Sequence, residues 1–75
     1  MAREQTIRVL AEMVANVIVV EVAVDDTVLP GDTVCLLESM KMEIPVVPET
    51  GGVVLRVAVA AGDVVQEGDL LVSLA

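Results

Sequence analysis

One side chain in this sequence stands out for chemistry. Lys41 is the only lysine among 75 residues. It sits in the run Glu38-Ser39-Met40-Lys41-Met42-Glu43, with a methionine on each side and a carboxylate beyond each methionine. An enzyme that modifies a lysine amine would find one candidate here. The rest of the inventory is poor in reactive groups. There is no histidine and no tyrosine, and no cluster of metal-ligating residues is visible in the sequence. The lone cysteine, Cys35, lies inside the apolar run Val34-Cys35-Leu36-Leu37. Without a histidine to activate it, it reads as a small buried hydrophobe. No catalytic residue is expected, so chemistry in this chain means an amine that another protein loads. A lysine at a loop tip can also be only a solubilising charge, and the absence of every other lysine weakens that reading.

The residues around Lys41 must hold it out. Val34–Leu37 precedes the motif and Ile44–Val47 follows it. Two short apolar runs joined by a short polar step describe a β-hairpin. With Met40 and Lys41 as the loop residues, Ser39 pairs with Met42, Glu38 with Glu43 and Leu37 with Ile44. Two-residue hairpin loops favour Asn-Gly or a relative, because central residues there need positive φ. Met-Lys supplies no glycine, so this turn predicts backbone strain of roughly 1–3 kcal/mol. Glu38 opposite Glu43 adds a mild like-charge penalty. Local rules broken together at one point mark a functional position. Pro45 and Pro48 cannot donate ladder hydrogen bonds, which predicts an edge or bulged strand for the second arm.

Composition sets the frame. The chain is short enough to be one domain, residues 1–75, with a thin core. Eighteen valines and no aromatic residue predict an almost all-β fold with a close-packed aliphatic interior. The net charge of −8 argues against nucleic acid and against anionic membrane surfaces as partners. It also disfavours self-association, so a monomer is expected. Met1–Leu10 carries Arg3, Glu4 and Arg8 and has no apolar core of a signal peptide. The single cysteine and the lack of a spanning run favour a soluble, cytoplasmic protein.

In chain order, residues 1–5 are expected to be flexible. Strand character begins near Thr6 and runs through Ile7 and Val9, with Met13 at its limit. Val14-Ala15-Asn16 reads as a change of direction, with Asn16 as the turn residue. Val17–Val24 reads as a strong strand whose first half is apolar on both sets of positions, suggesting burial by two layers. Asp25-Asp26 ends it, and Pro30-Gly31-Asp32 is a turn. Gly51-Gly52 reads as a flexible break. Val53–Val59 is the second strong strand, Gly62-Asp63 and Gly68-Asp69 are turns, and Leu70–Leu74 is the last strand.

An offset of 37 residues relates the two halves. It carries Asp26 to Asp63, Gly31-Asp32 to Gly68-Asp69, and Val20 and Val22 to Val57 and Val59. Two matching β halves predict two small antiparallel sheets packed face to face with pseudo-twofold symmetry. Lys41 lies in the piece that joins the halves, and a symmetric closure brings both termini to the opposite end.

The sequence resembles the biotinyl domain, the carrier part of biotin-dependent carboxylases and decarboxylases. The likeness rests on Glu38-Ser39-Met40-Lys41-Met42-Glu43, on Ala11-x-Met13, and on Gly31-Asp32, Gly62-Asp63 and Gly68-Asp69. It covers residues 7–75. Ala15 and Asp25 depart from it, each standing where a glycine is usual, and nothing between Ala11 and the tip is long enough for the protruding loop of some carriers. The resemblance implies the compact, free-standing form: a flattened β-barrel or sandwich with the modified lysine on an exposed hairpin tip. The sister lipoyl domain shares that fold and a tip lysine, and the methionines on both sides of Lys41 favour biotin. A lipoyl carrier in an acyl-transfer complex is the alternative.

That resemblance also implies a reaction cycle. A biotin–protein ligase would join biotin to Lys41 through an amide. An ordinary lysine amine is almost wholly protonated at neutral pH, so activation falls to the ligase. A biotin carboxylase would carboxylate the bound cofactor, and a carboxyltransferase would take the carboxyl group from it. Met40 and Met42 would serve recognition or positioning, or cover the tip. Glu38 and Glu43 would steer partners or be only solvated charges.

Overall fold

The computed structural model describes residues 6–75, so the expectation for residues 1–5 lies outside the described residues. Eight strands follow one another: β1 (Ile7–Leu10), β2 (Ala15–Val20), β3 (Thr27–Val28), β4 (Cys35–Ser39), β5 (Met42–Val46), β6 (Gly52–Val57), β7 (Val64–Val65) and β8 (Leu70–Leu74). They form two four-stranded sheets, ordered β1-β8-β6-β3 and β5-β4-β2-β7. Every pairing is antiparallel. Alternate valines and leucines of both sheets turn inward, because successive strand side chains point to opposite faces. Ala11, Ala15, Val17, Val28, Val34, Cys35, Leu37, Val54, Val65, Leu71, Val72 and Leu74 make up the buried core. Each such aliphatic side chain contributes about 1.5–3 kcal/mol on burial.

The 37-residue offset holds in three dimensions. It carries β2 onto β6 and β3 onto β7. It carries the pairs Leu37–Ile44 and Cys35–Val46 onto Leu74–Ile7 and Val72–Val9. It also carries side-chain hydrogen bonds. The Ala23 N–H donates to Asp26 Oδ2 and the Ala60 N–H to Asp63 Oδ2, both at 2.9 Å. The Leu29 N–H donates to Asp32 Oδ2 at 2.9 Å and the Gln66 N–H to Asp69 Oδ2 at 2.8 Å. Four aspartates thus close four turns by binding a backbone amide three residues earlier. The tip hairpin maps onto the place where the two chain ends meet, Ile7 beside Leu74.

Several local expectations need correction. Asn16 is not a turn residue; it lies in β2 and pairs with Glu38 on one side and Val64 on the other. The chain bends at Glu12–Val14 instead. β1 stops at Leu10, short of Met13. The two strong strands are shorter than their apolar alternation, ending at Val20 and Val57. Beyond them the aspartate turns at Asp26 and Asp63 capture the backbone. β2 is not buried by two layers. A bulge between Val17 and Val19 leaves Ile18 as the extra residue, 37% exposed. Its counterpart Leu55, in the β6 bulge, is 45% exposed. A two-sheet sandwich has one interior, and outer faces meet water. Gly51-Gly52 is not a flexible break either. Gly52 opens β6, and a Cβ there would lie 2.5 Å from the Ala75 carbonyl oxygen; on Gly51 it would lie 2.4 Å from that of Val28. Both glycines let backbones approach closely.

The Asp25 departure is resolved. Asp25 has φ 78°, and its counterpart Gly62 has φ 96°. The turn keeps its shape, with an aspartate held where glycine is at ease.

Candidate functional site

The hairpin around Lys41 has the expected register. β4 and β5 pair Ser39 with Met42, Glu38 with Glu43, Leu37 with Ile44, Leu36 with Pro45 and Cys35 with Val46. Leu37 is buried while Ile44 and Val46 are half-buried, so the hairpin base is clamped to the core. β5 is the outermost strand of its sheet, in keeping with Pro45 within it, while Pro48 lies beyond its end. The loop residues are Met40 with φ 53° and Lys41 with φ 65°. Two successive positive φ values are those of a type I′ turn, whose twist matches the flanking strands. The chain adopts this turn with two side-chain-bearing residues where glycine or asparagine is the ordinary choice. A two-residue reversal that matches the strand twist needs positive φ in the loop, and here both residues supply it.

The result is a lysine on a narrow, firmly rooted projection. Lys41, Met40, Met42, Glu38 and Glu43 are all exposed. Met40 is 91% exposed and Met42 65%, so neither covers the tip. Two large apolar side chains held in water beside one amine form an apolar collar around it. The structure brings together every residue of the motif, and Glu38 and Glu43 face each other across the hairpin on its outer side.

Ser39 carries a contact that the sequence did not disclose. Its Oγ donates to the Val14 carbonyl oxygen at 3.0 Å, tying the tip to the bend before β2. Such a bond contributes about 1 kcal/mol. Its partner is 25 residues away, so no local pattern signals it. The bond also places Val14 beside the tip. With Ala15, Asn16, Glu38, Ser39, Met40, Lys41 and Val64 it lines a shallow, open depression of about 340 Å³. A larger groove of about 540 Å³ runs between β1 and β5 and does not include Lys41.

Elsewhere the reactive groups are quiet. Cys35 is fully buried, and burial pushes its thiol from 9.0 up to about 11. It is a core residue, as expected. Among the described residues no group of three His, Cys, Asp or Glu is placed to hold a metal ion. No helix of the described residues is long and apolar enough to cross a membrane.

Two antiparallel four-stranded sheets built to one plan, with an exposed lysine on a type I′ hairpin tip of one of them, define the class of fold. The profile of the family described as "Biotin-requiring enzyme" matches residues 7–74, and the chain belongs to this biotin/lipoyl-attachment family. Among its relatives, the biotinylated protein TB7.3 homolog of Mycobacterium leprae is 52% identical over 63 residues, spanning 84% of this chain and 89% of that protein. The biotin/lipoyl attachment protein of Bacillus subtilis is 44% identical over 63 residues, spanning 84% of this chain and 86% of that one. The fold also matches part of the Kluyveromyces lactis urea carboxylase, with a TM-score of 0.88 and 28% identity, covering 100% of this chain and 7% of that enzyme. The chain thus spans nearly all of its small relatives and under a tenth of the large carboxylase.

Proposed function

We propose that this chain is a biotin carboxyl carrier whose Lys41 Nζ is joined to biotin by a biotin–protein ligase. The observation that supports this best is the strained tip. The chain's only lysine is held at φ 65°, exposed, between two exposed methionines. The family and the names of the small relatives support biotin as the group carried. The loaded arm takes a carboxyl group at a biotin carboxylase and delivers it at a carboxyltransferase. The carrier does no bond-making of its own; it converts a chance encounter into a local one by raising effective concentration.

Within this reading each motif residue has a task. Lys41 supplies the nucleophilic nitrogen, and the amide removes its charge. Met40 and Met42 give the ligase an adaptable apolar grip on both sides of the amine. Glu38 and Glu43 present negative charge on one side of the hairpin, where it steers the approach of a basic cleft. Ser39 keeps the projection from rocking. The two sheets act as a flattened barrel-type sandwich that keeps the tip stiff, and the protein works in the cytoplasm beside its ligase.

Co-expression with a biotin–protein ligase followed by intact-mass measurement tests the proposal. One biotin adduct is expected on the wild type and none on Lys41→Arg. A lipoyl adduct, or biotin retained by the arginine variant, overturns it.

A further inference from the structure

The charge of this molecule is unevenly placed. The chain has twelve acidic residues against four basic ones, yet the strands β1, β8, β6 and β3 carry no carboxylate, and Asp25, Asp26 and Asp69 lie in the turns at their ends. In the sheet β1-β8-β6-β3, Arg8 and Arg56 both register against Ser73, one from each side. They therefore stand on one face, two strand spacings or about 10 Å apart. Val72 and Leu74, on either side of Ser73, are wholly buried, which turns Ser73 and both arginines to the outer face, where Ser73 is itself covered (8% exposed) and the arginines are exposed. Leu10, Val53 and Leu55 are exposed from the same strands at 39%, 40% and 45%. The bulge at Leu55 sets its side chain beside Arg56 on that face. The corresponding face of the other sheet carries Glu38 and Glu43 and leads to the lysine tip.

We propose that the outer face of β1, β8 and β6 is a docking surface for a partner protein. The partner's surface is acidic, with carboxylates about 10 Å apart flanking an apolar strip. Charge complementarity carries the assignment. The described residues hold three positive side chains; one is Lys41 and the other two share this face. Arginine is the cation suited to paired recognition of carboxylates, and its stem covers apolar surface at the same time. Leu10, Val53 and Leu55 supply the apolar contact that a purely electrostatic patch lacks. A second copy of the chain is a poor occupant, because two molecules of charge −8 repel and like faces would set arginine against arginine. Docking here leaves Lys41 free on the other sheet. The assignment does not depend on whether the lysine is loaded.

The test uses the full chain labelled with ¹⁵N. It is titrated with an eight-residue peptide of alternating glutamate and valine, and separately with its lysine–valine counterpart, at low and high salt. Amide shifts are expected at Arg8, Leu10, Val53, Arg56 and Ser73. The acidic peptide should bind at least about tenfold more tightly, with the preference shrinking in salt. The Arg8→Glu/Arg56→Glu variant should keep the rest of its spectrum and reverse the preference. Equal binding of both peptides, or shifts centred on Met40–Met42, overturns the proposal. So does wild-type self-association in sedimentation that the double variant abolishes, which makes the face a self-interface. Comparable binding to phosphatidylcholine–phosphatidylserine vesicles assigns it to a lipid surface and overturns it as well.

Discussion

At the scale of the residue, the tip trades stability for chemistry. Met40 and Lys41 hold left-handed backbone that asparagine and glycine hold without strain. The Met40→Asn/Lys41→Gly variant should therefore gain about 1–2 kcal/mol in denaturant melts while losing the amine that the proposed attachment requires. An unchanged or lower midpoint would show that the turn is unstrained. Cys35 sets a different dependence. In the unfolded chain its thiol begins to ionise near 9.0, whereas the folded core keeps it neutral up to about 11. Unfolding releases a proton across that window, so stability falls as pH rises from 9.0 toward 11. Denaturation midpoints should drop through this range by an amount on the order of 2 kcal/mol, and Cys35→Ala should flatten the profile. Both residues were legible in sequence, Lys41 by its solitude and Cys35 by its apolar neighbours. Ser39 was not, because its partner Val14 is brought near only by the completed sheet.

At the scale of the element, the aspartate turns decide where strands stop. Valine alternation runs on past Val20 and Val57, and this is why sequence patterning overextends both strands. The carboxylates of Asp26 and Asp63 bind the amides of Ala23 and Ala60, and that local bond outcompetes further ladder pairing. Asn16 was misread for the converse reason. Its side chain suits a turn, but Glu38 and Val64 claim its backbone from both sides. The hairpin register was readable because apolar runs flank the lysine on both sides and a two-residue loop allows only one alignment. Between the paired turns, Asp25 is the weaker copy. Asp25→Gly should raise the melting midpoint by roughly 0.5–1 kcal/mol in stability, whereas Gly62→Asp should lower it. Equal effects at both positions would deny that left-handed strain is the cause.

At the scale of the whole molecule, the halves are laced together. β1 pairs with β8, β3 with β6, β2 with β7 and β4 with β5, so four of the six strand pairings join the first half to the second, and only β2–β4 and β6–β8 stay within one. The repeat was visible in sequence, but this interleaving was not, since an offset does not say whether two copies pair within or between themselves. Peptides covering residues 1–40 and 41–75 should each be unfolded alone by circular dichroism and regain strand signal on mixing. A folded isolated half would refute the lacing. The same fold recurs as a small part of a carboxylase more than ten times the length of this chain.

Lacing has one more consequence, for transport. The tip grows out of two paired strands of one sheet whose base is held to the core, so under the proposed function its local reach is that of one side chain and what it would carry. Stations closer together than that arm can be served by a swing alone. Stations farther apart demand that the pedestal itself commute, carrying its passenger across open water from one dock to the next.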